Sequence, residues 1–436
     1  MAVRVACLLP LVVVLLVGLP SIAMAQDEYD FDVSEYERKP YEWGGLVDLT
    51  PTLLLGDTDA ALYRQRYFET DEARWLGQAQ GEAQLEGLYR GGNARWYGRL
   101  DGQLTYDDRG WDERLTLQEL NLNVQDSPSF TARLGKQTFK WGTGYAFNPV
   151  AFLDRPKTPE DPELAMEGFT TAAFDIIKSF AGPLTTLTIT PVLAPVLGTI
   201  NEDLYPQNGL VAALKIYTLF LDTDIDLIGL AGMEMPPRYG FDVSRNLRPE
   251  LEVHGEAAFT HERKKVVLDR QGNLRAEEFD ALAALAGVRY LAATNTTFIL
   301  EYFYNEAGYT RTQWEDYAAF VAQAYRQYER TDNELPLIKA RRATAQGYGR
   351  PDAGRHNLYL RISHPEPFDL VYSSVGLMVI ADAADGSFQL IPECIYSGWG
   401  DFELRLRGGW LYGAPDTLFG EKAVDGRIEM RVRYYF

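Results

Sequence analysis

Apolar and polar residues alternate with period two along much of this chain. The last stretch, "GRIEMRVRYYF", puts Ile428, Met430, Val432, Tyr434 and Phe436 on one row and Arg427, Glu429, Arg431 and Arg433 on the other. Successive side chains of a strand face opposite sides of its sheet, so this segment separates an apolar medium from a polar one. The pattern recurs near the start. In "QAQGEAQLEGLYR" Gln78, Gln80, Glu82, Gln84 and Glu86 oppose Ala79, Ala83, Leu85 and Tyr89. After Gly91 and Gly92, which predict a tight hairpin turn, Trp96, Leu100, Leu104 and Tyr106 oppose Arg95, Tyr97, Arg99 and Asp101. Runs of roughly ten residues suffice for a tilted strand to cross a bilayer.

About 17 such strands can be read, from one near 44–56 to one at 426–436, and the alternation is least regular between 221 and 291. Connections alternate in length. Those at 57–74 and 139–169 are long, while those at 91–92, 126–129 and 181–183 are short. Such asymmetry fits an up-and-down barrel with turns at one end and loops at the other. The prediction is an all-β transmembrane antiparallel barrel. Single-chain bacterial barrels have an even strand number, so about 16 strands are expected, within a range of about 14 to 18.

The front end places this barrel across an export pathway. A basic start, an apolar run from Val5 to about Gly18 and Ala23-Met24-Ala25 predict a signal peptide over 1–25. Residues 26–43 predict an acidic periplasmic tail, and 44–436 the barrel. After the signal no stretch approaches the ~18 continuous apolar residues of a membrane helix. The net charge of −20 argues against nucleic acid as a partner. One cysteine, Cys394, follows the signal, so no internal disulfide is available, and the chain has no C-x-x-C-H haem site.

The ending resembles the C-terminal signal of Gram-negative outer-membrane β-barrels, with Phe436, Tyr434 and Val432 at the positions that the barrel-assembly machinery reads in that family. A second likeness is narrower. "ARLGKQTFKWGTGYAFNPVAFLDRP" (132–156) is similar to a segment of porin and alginate-export-like families, with Arg133, Gly135, Lys136, Gln137, Trp141, Gly142, Asn148 and Pro149 at matching positions. The resemblance implies an outer-membrane location, contact with lipid and lipopolysaccharide, and a porin-like role.

Candidate pore-lining residues come from the polar rows: Arg95 and Arg99 on an early strand, and Arg405, Arg407, Arg427, Arg431 and Arg433 on the last two. Arginine keeps its charge and binds carboxylate or phosphate bidentately, so this wall would attract anions. Loop 139–169 carries Asp154, Glu160, Asp161, Glu163 and Glu167 among four prolines. Similarity to general porins implies that this third long loop folds inward as a constriction with an acidic edge. Loop 306–354 places Trp314, Tyr317, Val321 and Tyr325 at helical spacing, predicting a helix on the barrel mouth.

The expected function is an outer-membrane channel passing small hydrophilic solutes by diffusion, with a bias toward anions from the arginine cluster. The alternatives are an exporter of an anionic polysaccharide and a barrel sheath around a partner such as a cytochrome. No enzyme activity, cofactor or metal is expected: none of the four histidines sits in an H-x-S pattern.

Overall fold

The computed structural model describes residues 39–70, 73–164, 167–233, 235–350 and 352–436. Eighteen strands form one antiparallel sheet that closes on itself through the β1–β18 pair. The first six are β1 Tyr41–Gly56, β2 Trp75–Gly91, β3 Ala94–Asp107, β4 Gly110–Ser127, β5 Phe130–Gln137 and β6 Phe169–Ser179. Next come β7 Leu184–Val196, β8 Gly209–Phe220, β9 Thr223–Gly232, β10 Arg238–Arg248, β11 Leu251–Leu268 and β12 Leu274–Leu291. The last six are β13 Thr297–Asn305, β14 His356–Pro365, β15 Ser373–Asp382, β16 Phe388–Trp399, β17 Phe402–Tyr412 and β18 Val424–Tyr435. Each pairs with its sequence neighbours, as an up-and-down barrel requires.

The burial pattern is inverted relative to a soluble sheet. On β18 the apolar Ile428, Met430 and Val432 are exposed, while Arg427, Glu429, Arg431 and Arg433 are partly covered. Leu85, Trp96, Leu104, Leu115, Leu214 and Leu300 are likewise exposed on other strands. A continuous outward apolar surface is stable only in lipid, so the polar rows face the lumen.

The strand that sequence reading passes over is β10. It lies inside the irregular 221–291 region, between the connections 233–237 and 249–250. Between β14 and β15, Glu366, Phe368, Asp369 and Tyr372 take positive φ in a compact turn, so β15 begins only at Ser373. The expected signal peptide lies outside the described residues, as does most of the expected tail; Tyr41 to Trp43, placed in that tail from sequence, belong to β1.

Prolines interrupt single ladders without breaking the barrel. Pro51 falls in a gap between the pairs Leu49–Val432 and Thr52–Glu429, and Pro392 between Leu390–Trp410 and Glu393–Arg407. A proline has no N–H to donate, so the interruption falls on one neighbour only.

One end of the barrel carries tight turns, such as 92–93, 128–129 and 221–222; the other carries the long connections. There α1 (Ala61–Tyr67), α2 (Arg311–Thr331) and α3 (Leu335–Ala343) pack over the mouth. Helix α2 starts with a capping box, in which Thr310 Oγ1 accepts from Gln313 N and Gln313 Oε1 accepts from Thr310 N. Its Trp314, Tyr317, Ala318 and Val321 are buried at the predicted helical spacing, and Tyr317 stacks on Tyr348 at 4.3 Å between ring centroids.

Candidate functional site

The connection 138–168, between β5 and β6, does not stand above the barrel. It crosses the lumen and divides into two parts held by different physics.

The first part, 139–153, is clamped to the far wall. Glu256 on β11 accepts hydrogen bonds through Oε1 from Thr143 N and Gly144 N, both at 2.6 Å, and through Oε2 from Val150 N at 3.3 Å. Glu301 on β13 accepts from Tyr145 N and from Ala146 N, the latter at 2.9 Å. Both carboxylates are buried, and His254 Nε2 lies 3.0 Å from Glu301 Oε1. The "WGTGYA" sequence makes this grip possible. Gly142 has φ +92, and a Cβ there would lie 2.7 Å from Glu256 Oε1. Gly287 on β12 leaves room for the His254 ring, since a Cβ would sit 2.1 Å from its Nε2. Backbone N–H groups converging on a carboxylate form an anion cradle, and hydrogen bonds to a charged acceptor are worth roughly 1.5–3 kcal/mol each.

Behind the clamp the loop is dry. Val150, Phe152 and Leu153 pack with Val192, Val211, Ile228 and Leu230, all buried. Phe147 stacks on Phe303 at 4.7 Å between centroids. Asp154 closes this part by accepting from Phe139 N at 2.7 Å and Trp141 N at 3.0 Å. Burial raises the Asp154 carboxyl above its ordinary range, although the backbone donors pull it back.

The second part is ionic. Glu160 pairs with Arg427 at 2.5 Å, Asp161 with Arg405 at 3.4 Å and Arg407 at 3.9 Å, and Glu163 with Arg361 at 3.1 Å. The strand wall supplies further partners. Arg407 pairs with Glu393 at 2.5 Å, Arg405 with Glu429 at 3.0 Å, Arg431 with Glu403 at 2.8 Å and Arg433 with Asp48 at 2.6 Å. Between loop and wall lies a cavity of ≈ 310 Å³ lined by Arg361, Arg405, Arg407, Arg431 and Arg433, and by Glu160, Asp161 and Glu163.

The expected arginine group therefore divides. Arg405, Arg407, Arg427, Arg431 and Arg433 sit together on β17 and β18. Arg99 is separate, between Glu86 at 3.6 Å and Glu119 at 3.4 Å, and Arg95 is exposed nearer the turn end of β3. The expected acidic edge divides as well. Glu160, Asp161 and Glu163 face the arginines, whereas Asp154 and Glu167 do not. Asp154 staples the loop to itself, and Glu167 pairs with Lys136 at 2.5 Å and Arg155 at 3.3 Å at the loop's base. Phe436, expected as an assembly signal, caps the strand seam: its N–H donates to Gly45 O at 3.1 Å and its carbonyl accepts from Gly45 N at 3.0 Å. Tyr434 and Val432 continue the outer row of β18 against β1, opposite Val47 and Leu49.

Sequence reading missed Glu256, Glu301 and Arg361. A single Glu inside the apolar run "TFILEYFYN" was the signal available for Glu301. Among the described residues no cluster of three or more His, Cys, Asp or Glu could hold a metal ion.

No protein-family model matches this sequence, and no curated protein matches it. Solved structures do. The chain is similar to OccAB1 of Acinetobacter baumannii, at 11% identity and a TM-score of 0.52, over 90% of this chain and 96% of that one. It is also similar to OccK11 (OpdR) of Pseudomonas aeruginosa, at 11% identity and a TM-score of 0.47, over 90% and 95%. A third similar structure is OprD of Pseudomonas aeruginosa, at 10% identity and a TM-score of 0.44, over 90% and 95%. The likeness to OccAB1 spans nearly the whole of both chains. That likeness is one of fold, a closed antiparallel β-barrel.

Proposed function

We propose that this protein is an outer-membrane channel through which small hydrophilic solutes diffuse. The observation that carries the reading is the cavity of ≈ 310 Å³ between the inserted loop and the β17–β18 wall, lined by charged side chains inside a barrel whose outer face is apolar. A polar path behind a lipid-facing wall is what passive transport of charged or hydrogen-bonding solutes needs. The cavity's size favours small solutes over a threaded protein, because the loop occupies the space that a partner chain would fill. The arginines on β17 and β18 are the feature that would favour anions.

Single-channel recording in planar lipid bilayers tests this. The expected outcome is a steady open conductance for the refolded barrel alone, changed by arginine-to-glutamine substitutions at Arg405 or Arg431. A folded barrel that stays closed at all voltages would sink the channel reading.

A further inference from the structure

The outward rows of β1 to β4 can be followed from strand to strand. Nearest the turn end, Tyr41 pairs with Tyr89 and Tyr89 with Trp96, and all three rings are exposed. One row further in, Trp43 pairs with Gly87, Gly87 with Gly98 and Gly98 with Leu120. The row after that is Leu85, Leu100 and Leu117, also exposed. The middle row therefore lacks two adjacent side chains between two large ones.

The gap is an open notch of ≈ 440 Å³, walled by Trp43 on one side and by Leu85, Leu100 and Leu117 at its inner end. Glu86 and Arg99 also line it, but their side chains belong to the lumen row, where they pair at 3.6 Å, so the floor is backbone. A Cβ at Gly87 would meet nothing within 4 Å, and one at Gly98 would first meet Leu120 Cδ1 at 3.5 Å. Neither glycine takes a positive φ, so the backbone does not require them. Glycine inside a strand weakens it, and often marks a place where a ligand approaches closely.

The height of the notch says what approaches. Gly87 is four residues from the end of β2 at Gly91, about 10 Å in from the turn for a strand tilted by about 40°. Tyr and Trp gather at the head-group level of a bilayer, and the turn end of a bacterial barrel faces the periplasm. The Tyr41–Tyr89–Trp96 row thus marks the head groups of the periplasmic leaflet, and the notch opens just inside them. Lys39, exposed two residues before Tyr41, adds a cation at the phosphate level and has no carboxylate within 4.0 Å among the described residues.

We propose that this notch holds one acyl chain of a phospholipid from the periplasmic leaflet. The inference goes beyond the channel reading and does not rest on it, because the notch lies on the outer wall. A flexible hydrocarbon enters a gap two side chains wide, whereas the convex wall of a second barrel would bridge it and leave it empty. Filling it restores dispersion contacts that the missing side chains leave unmade. The bound chain also backs the Trp43 ring against Phe436 across the β1–β18 seam, where the two centroids are 6.1 Å apart.

The test is photolabelling of the barrel in phosphatidylcholine bilayers that contain a small fraction of phosphatidylglycerol with a diazirine on one acyl chain. The expected result is labelling of residues 85–100 several-fold above that of Leu300 and Tyr302, which face outward on β13. The G87L/G98L variant fills the notch, and its labelling at 85–100 should fall to the β13 level. Even labelling around the wild-type barrel, or undiminished labelling in the folded double variant, overturns the proposal. A wild-type barrel that is unlabelled at 85–100 and cross-links as a dimer also overturns it, in favour of an interface between two copies. If the double variant fails to fold, Gly87→Leu alone carries the comparison, because its side chain enters open space.

Discussion

From β6 to β13 the inner wall toward the loop end carries Ala173, Val192, Ile228, Leu230, Leu285 and Phe303, all buried. From β14 round to β5 the same inner wall carries Arg361, Arg405, Arg407, Arg431 and Arg433, with Asp48, Glu82 and Glu393 among them. One connection touches both. Its 139–153 part fills the first arc with Phe147, Val150 and Leu153, and its 160–163 part meets the second through ion pairs. The first arc behaves as a protein core that happens to lie inside a barrel. The second behaves as a surface. Substitutions in the two arcs should therefore differ in kind, affecting stability and assembly in one and ion flow in the other.

The strongest way to break this contrast is at the clamp. Glu301→Ala leaves Tyr145 N and Ala146 N without their acceptor and removes the partner of His254 Nε2. Each buried donor left unsatisfied costs roughly 1–3 kcal/mol. The expected outcome is a loop that leaves the far wall, seen as a several-fold larger and noisier single-channel conductance and as new protease cleavage between residues 139 and 153. Wild-type conductance and protection in this variant would mean that the dry packing alone holds the loop.

Next in size is a matched pair of truncations. Leu153 is fully buried in the dry arc, so Leu153→Ala should cost about 2–5 kcal/mol in a denaturant titration of the folded barrel. Leu164, on the ionic side, is 48% exposed, and Leu164→Ala should cost less than about 0.5 kcal/mol. Equal losses would show that the two parts of the loop are one packing unit. Smaller again is the effect on stability of Arg427→Gln. Its ion pair with Glu160 is partly solvated, and such pairs are worth roughly 0–1 kcal/mol, so the change should register in ion selectivity before it registers in a melting curve.

The same contrast explains what the sequence could and could not disclose. Where the inner wall faces a water-filled space, its strands alternate strictly, as in β2, β3 and β18, and their faces, neighbours and candidate arginines can be read directly. Where the loop covers the inner wall, both faces of a strand are apolar. The runs "LTTLTITPVLAPV" of β7 and "TDIDLIGLAG" of β9 lose the period that marks a barrel strand. β10 is a different case, since "RYGFDVSRNLR" alternates Tyr239, Phe241 and Val243 with Gly240, Asp242 and Ser244. The two residues that position the loop were hidden for a related reason. Glu301 is a lone acid within an apolar strand and Glu256 one member of an ordinary polar row with Glu252 and His254, and their partners are backbone N–H groups more than 100 positions away in sequence. Residue type alone cannot announce a carboxylate whose partners are peptide groups. Conversely, Asp154 looked like its neighbours Glu160 and Asp161, although its side chain turns back on Phe139 and Trp141.

Asp154 gives the finest test of the boundary between the two arcs. Burial holds its carboxyl above the ordinary value of 3.8, so the open loop releases the proton more readily than the closed one. The closed loop therefore gains stability from this group below the ordinary value. That gain is lost as pH rises through the raised value, and above it the closed loop carries a desolvated carboxylate. Hydrogen exchange at the amides of Phe139 and Trp141, corrected for intrinsic rates, should show protection falling over this acidic window and then levelling. Asp154→Asn cannot titrate, and its amide oxygen can still accept from one of the two donors. Its protection should be flat with pH, with a small loss at the other amide. A wild-type profile that is equally flat would place the Asp154 staple on the solvated side of the loop, and the dry arc would then end at Leu153.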